Sequence, residues 1–142
     1  MKTGIVVAVA SSWYLVGLSV TVGLVIYPSF ALVDEQRWVA FHQHHSQRIS
    51  WAVGLPWLVQ AVGLSIWLIT DPGSTWVASI VCALGALGAV ILTVAAAVPS
   101  HNRLSQGFDQ REAKRLLSIH WVRTIVWVVT AGAATAGLIQ VF

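Results

Sequence analysis

Four runs without a charged side chain, opening at Thr3, Ile49, Pro72 and Thr124, dictate what this chain can become. Each is close to or beyond the ~20 residues that an α-helix needs to cross about 30 Å of hydrocarbon. With 57% hydrophobic and 9% charged residues, 142 residues cannot hide so much apolar surface in a soluble fold of this size. The expected fold is all-α: a four-transmembrane-helix bundle in one integral membrane domain over 1–142, with spans at about 4–27, 49–70, 75–98 and 121–141. Ala8-Val9-Ala10 after Lys2 resembles a signal-peptide cleavage site, but the apolar run continues to Tyr27 and is read as a retained span.

Charge gives the orientation. Of the eight Lys and Arg, only Lys2 lies away from the first and third connections. The positive-inside rule then places those two connections in the cytoplasm, and both termini with the Asp71-Pro72-Gly73-Ser74 turn outside an inner or plasma membrane. The basic excess is a topology signal and implies no nucleic acid. The single cysteine, Cys82, falls inside the third run and excludes a disulfide framework or a cysteine metal motif.

The two halves look like one repeated helical hairpin. Pro28-Ser29 leads to His45-x-x-Arg48, and Pro99-Ser100 leads to His120-x-x-Arg123, with four more residues between proline and histidine in the second half. Both hairpins start on the same side, which implies a pseudo-twofold axis along the membrane normal, as in parallel transporter repeats. Asp109 with Glu112 has the spacing of a capping box, so a helix is expected to run from there into the fourth span. Trp38, His42, His45, Ile49, Ala52 and Pro56 share one helical face, with His44 and Arg48 on its edge. Leu116, His120, Arg123 and Trp127 share another. Pro56 removes a backbone donor and is expected to kink the second span below the histidines. Small residues of the third and fourth spans, Gly85, Gly88, Ala89, Gly132, Ala133, Ala136 and Gly137, suit close helix packing. Trp38, Trp51 and Trp121 fit one interfacial belt, and Trp67 and Trp76 the other. Trp13, Trp57 and Trp127 lie deeper.

All five histidines fall in the two polar stretches after Pro28 and Pro99, hence at one membrane face. Imidazole exchanges protons near neutral pH and is the commonest ligand of iron, copper and zinc. His45 and His120 are the acid/base candidates. Arg48, Arg103 and Arg123 are candidates to stabilise an oxyanion, and Asn102 to orient a substrate. His42, His45, His101 and His120 are the candidate ligands for copper, iron or haem, if the protein holds a cofactor at all. None of the five carboxylates lies inside a span, which argues against a carboxylate-bridged metal centre or a pump built on an intramembrane acid.

The stretch Pro99-Ser-His-Asn102-Arg103-Leu, a charged helix, then His120-Trp-Val-Arg123-Thr124 resembles a small four-span membrane family that includes the anthrone oxygenases. The matching positions are Pro99, Asn102, Arg103, His120, Arg123 and Thr124. The resemblance implies oxidation of a polycyclic phenolic substrate by dioxygen without a recognised prosthetic group. The His42-Gln43-His44-His45 cluster is not part of that pattern. Three functions stay open on sequence: a membrane-embedded oxidoreductase of oxygenase type taking an apolar aromatic or quinone-like substrate from the bilayer, a metal- or haem-binding protein, and a non-catalytic subunit or assembly factor. Homo-oligomerisation or membership of a larger membrane complex fits any of them.

Overall fold

The computed structural model describes residues 2–71 and 73–141, so Pro72 of the expected outer turn lies outside the described residues. Four helices account for almost the whole chain: α1 (Lys2–Leu32), α2 (Glu35–Thr70), α3 (Trp76–Leu104) and α4 (Gln110–Val141). All four are long and apolar enough to cross a membrane. Each exceeds its span because the polar stretches are helical too, as expected for the leads into α2 and α4; α2 stays helical past Pro56 over 36 residues, with one amide missing from its ladder.

The start of α4 is capped as expected on one side only. The Glu112 amide donates to Asp109 Oδ1 at 2.7 Å. The Glu112 carboxylate does not complete the box: it accepts from Ser100 Oγ at 2.6 Å and from Arg103 Nη1 at 3.1 Å, tying α4 to the end of α3.

α1 and α4 are the central pair. α2 leans on α1 and α3 leans on α4, while α2 and α3 meet only sparsely, so a seam runs between them. The α1–α2 contact is close because both sides carry glycine: a Cβ on Gly4 would lie 2.7 Å from the Trp67 amide nitrogen and 2.9 Å from the Gly63 carbonyl oxygen. The expected small-residue packing is only partly realised. Ala89 is buried, Gly85 abuts Thr130, and Gly137 receives the Trp67 ring. Gly132 and Ala136 face outward, off the buried stripe of α4.

Two tryptophans assigned to interfacial belts are core instead. Trp38 is fully buried and its indole donates to the Leu104 carbonyl at 2.6 Å. Trp67 is fully buried and donates to Thr75 Oγ1 at 2.8 Å. Each indole finds an acceptor at one end of α3, Leu104 at its last residue and Thr75 just before its first, which satisfies the polar edge on burial. Trp51 and Trp76 are exposed, as a belt requires.

Both polar connections lie at the same end of the bundle, where the Trp38 and Phe108 rings pack edge to face with centroids 4.9 Å apart. At the opposite end Asp71 organises the α2–α3 turn. Its Oδ1 accepts from the Gly73 and Ser74 amides, and its Oδ2 from the Thr75 amide and hydroxyl. Gly73, at φ 106°, supplies the left-handed residue that this turn needs.

Candidate functional site

The two prolines of the repeat are approached in the same unusual way. A five-residue π-helical turn precedes each, Val22–Ile26 in α1 and Thr93–Ala97 in α3. The Tyr27 amide closes the first onto the Val22 carbonyl, and the Val98 amide closes the second onto the Thr93 carbonyl. A proline has no amide hydrogen and crowds the carbonyl one turn back; a wide turn just before it resets the ladder. This shared register supports the reading of two related hairpins, and the first wide turn delivers Tyr27, which follows it, to the bundle interior.

On the α4 side the site is built around Arg123, which is 9% exposed. Arg123 Nη2 donates to His120 Nδ1 at 2.8 Å, and His120 Nε2 donates to the Ser19 carbonyl of α1 at 2.7 Å. An imidazole that accepts at one nitrogen and donates at the other is neutral, so these partners assign the Nε2–H tautomer. Gly23 permits the approach, since a Cβ there would lie 3.1 Å from His120 Cδ2 and 2.8 Å from the Trp121 ring. Arg123 Nη1 donates to Thr93 Oγ1 at 2.9 Å, whose hydroxyl in turn donates to the Ala89 carbonyl. Every partner of this guanidinium is neutral. Among the described residues the ion pair recorded is Arg103 with Glu112, at the surface.

A second network faces it. Tyr27 Oη lies 3.1 Å from His101 Nε2, and His101 Nδ1 lies 3.2 Å from His42 Nε2. The Tyr27 ring sits at the middle of the imidazoles, with centroids 5.0 Å from His120, 5.9 Å from His101 and 6.3 Å from His45. The Phe30 ring stands steeply against those of His42 and His45, with centroids 6.1 and 5.1 Å away.

Two cavities follow the α2–α3 seam. The inner one, about 240 Å³, is lined by Tyr27, Arg123, Thr93, Trp57 and His101 among others. The outer one, about 410 Å³, is more polar in its lining, with His42, Gln43, Ser46, Gln47, Asn102 and His101. His101 borders both. Among the described residues, the buried side-chain polar atoms without a hydrogen-bond partner are His42 Nδ1, His45 Nε2, Ser46 Oγ, Trp57 Nε1 and Arg123 Nε. All five belong to this end of the bundle. A buried polar group left unpaired costs about 1–3 kcal/mol, so a fold that concentrates them here is spending stability on donors and acceptors that the chain itself does not use.

The candidate residues divide accordingly. His120 and Arg123 lie at the heart of the site. His45 is half-buried and meets His120 only through the Tyr27 ring between them. Arg48 is exposed, contrary to its expected equivalence with Arg123. The reason is packing: α4 is clasped by α1 and α3 and buries a wide stripe, whereas α2 packs closely on α1 alone and its narrower stripe excludes position 48. Asn102 is exposed at the rim of the outer cavity, and Arg103 is exposed and engaged by Glu112. Of the four candidate metal ligands, His42, His45 and His101 draw together while His120 spends both nitrogens elsewhere. No group of three or more His, Cys, Asp or Glu among the described residues is arranged to hold a metal ion. Sequence reasoning missed Tyr27 and Thr93. Their signal was present in the repeat itself, as the residue before the first proline and the polar residue one wide turn before the second.

Compared with protein-family models, curated proteins and solved structures, the chain finds no match.

Proposed function

We propose that this protein is a membrane-embedded oxidoreductase of oxygenase type, which takes an apolar aromatic substrate bearing a phenolic or enolisable oxygen into the α2–α3 seam. The observation that carries this reading is Arg123: a buried guanidinium held by neutral acceptors, with Nε unpartnered, on the wall of a cavity. A buried cation without a carboxylate is costly in a structural role and useful where negative charge develops on a ligand. The resemblance of 98–124 to the family of the anthrone oxygenases points the same way. The reaction it suggests balances without a further reductant: a ring methylene and dioxygen give a carbonyl and water, with four electrons passing from carbon to oxygen.

In this reading Arg123 holds the substrate oxygen as it becomes an oxyanion, and the indole N–H of Trp57 is a second donor on the same wall. His120 is a positioning residue, since both its nitrogens are committed to Arg123 and Ser19. His45 keeps an unpartnered nitrogen and remains an acid/base candidate. Arg48 and Arg103 serve orientation and the surface rather than chemistry. The sparse α2–α3 contact is the entry from the bilayer, and the positive-inside rule places the histidine end at the cytoplasmic face. Metal or haem ligation has less support, because His42 and His101 spend a nitrogen on each other.

The test is oxygen uptake by protein purified in mild detergent, with anthrone and a hydroquinone as substrates and iron, copper and zinc measured in the same sample. The expected result is uptake that falls about 100-fold or more in Arg123→Gln. Uptake no faster than with heat-inactivated protein, from a folded sample, would overturn the reading.

A further inference from the structure

We propose that Tyr27, His101 and His42 form a proton wire that joins the inner cavity to the polar outer cavity. Three helices contribute one residue each, and the atoms follow in unbroken order: Tyr27 Oη, His101 Nε2, His101 Nδ1, His42 Nε2, His42 Nδ1. A neutral imidazole carries one N–H and one lone pair, so hydrogen-bond direction is conserved through it. The chain therefore has two alignments. In one, Tyr27 donates to His101, His101 donates to His42, and His42 holds its free proton at Nδ1. In the other, every donor and acceptor is exchanged. A chain built only to bind helices together would be satisfied at its ends. Here the outer end is not: His42 is 1% exposed, its Nδ1 has no partner, and it lines the outer cavity. The inner end, Tyr27, lines the inner cavity beside Arg123.

The direction of use rests on the proposed phenol chemistry. A proton leaves the substrate for Tyr27 Oη as the Tyr27 O–H bond breaks and His101 Nε2–H forms. His101 Nδ1–H then breaks as His42 Nε2–H forms. The substrate is left as an anion beside Arg123, and the positive charge stands on His42, which releases its Nδ1 proton to the outer cavity. No electrons move in these steps. The charge does not rest on His101, because that ring is flanked by the Arg123 guanidinium in the same cavity lining; His45 and His120 are the other titratable rings around Tyr27.

The test reads the wire without requiring turnover. Full-length protein labelled with nitrogen-15 at histidine, in phosphatidylcholine bilayers near neutral pH, reports the tautomers of His42 and His101 by solid-state NMR. The expected result is matched tautomers, both Nδ1–H or both Nε2–H, and a shift of the His42 tautomer ratio in Tyr27→Phe, although those two side chains share no hydrogen bond. Unchanged His120 signals certify that the variant is folded. Opposed tautomers in the wild type, or a His42 that ignores Tyr27→Phe while His101 responds, would overturn the wire; the wild-type measurement decides alone if the variant does not fold. A second arm uses oxygen uptake: His42→Ala should lose at least tenfold and recover with added imidazole. Coupled tautomers without Arg123-dependent uptake would sink the oxygenase reading and leave the wire, whereas Arg123-dependent uptake with uncoupled tautomers would do the reverse.

Discussion

The α1–α4 and α2–α3 interfaces occupy equivalent places in a two-hairpin repeat, and they are built differently. The first is sealed by Leu15 and Val16 of α1 against Trp127 and Ala131 of α4, all buried, with Ala89 of α3 closing the same cluster and Trp57 packed only at its margin. The second holds two cavities and the unpaired polar atoms. The prolines and their wide turns are the same in both halves, so the difference arises in what the seam-facing positions carry. Around Trp127 they are apolar and close-packed. Across the seam they are His101, Asn102, Ser46 and Ser50, side chains that leave room and polarity behind. One copy of the interface is close-packed, and the other is left open and polar.

The sharpest way to break this comparison is to truncate one tryptophan on each side. Trp127→Ala, on the sealed side, should cost about 3–5 kcal/mol in detergent unfolding, and Trp57→Ala distinctly less, because Trp57 is half-buried with an unpartnered indole. Equal losses would mean that the seam is packed as tightly as its counterpart. The next contrast sets Arg123 against Arg48. Arg123→Gln should abolish most turnover, about 2.7–4 kcal/mol of transition-state stabilisation, while thermal stability holds or rises because an uncompensated buried charge is removed. Arg48→Gln should change neither. A smaller effect is expected at Gly54, which borders the inner cavity and where a Cβ would meet nothing within 4 Å. Gly54→Ala should gain up to about 1 kcal/mol from helix propensity, and Gly54→Phe should lower oxygen uptake without unfolding the bundle. The least effect concerns the far end of the molecule. The Thr75 hydroxyl, followed by the backbone amides of the turn, holds the Asp71 carboxyl below its ordinary range. Its contribution is present above the ordinary carboxylate pKa and is lost as pH falls through the lowered folded value. Asp71→Asn should therefore flatten the acid limb of the melting-temperature profile while leaving the histidine end unaffected; an unchanged limb would show that the turn does not gate unfolding.

The bundle was legible from charge alone, since long charge-free runs have only one economical use. The faces of α2 and α4 were legible too: Trp38 and His42, and likewise Leu116, His120 and Arg123, turn inward as their spacing demands. Periodicity, however, says which residues share a stripe and not how wide the buried stripe is. Width depends on how many neighbours clasp the helix, which is why Arg48 and Arg123 look alike in sequence and differ in place. Glu112 was misassigned for a related reason. Its capping role is local, but Ser100 and Arg103 arrive from another helix and compete for the carboxylate. Tyr27 escaped notice because a tyrosine at the end of an apolar run is ordinarily an interfacial anchor, and only a change in helical pitch brings it inside.

That change in pitch governs more than two hydrogen bonds. Each wide turn adds one residue to its helix, and one residue of an α-helix is about 100° of rotation. Tyr27 thus stands in phase with Ser19 eight positions earlier, and Ala97 with Ala89, where an unbroken α-helix would carry both off the stripe. Removing one residue from Val22–Ile26 would leave the N-terminal two thirds of α1 docked as it is and swing everything beyond it around the axis, Tyr27 away from the bundle interior and its neighbour inward. The inward-facing stripe of each half is therefore indexed by a one-residue offset, so that a single codon gained or lost at either place exchanges one set of inward-facing side chains for another on an otherwise unaltered scaffold.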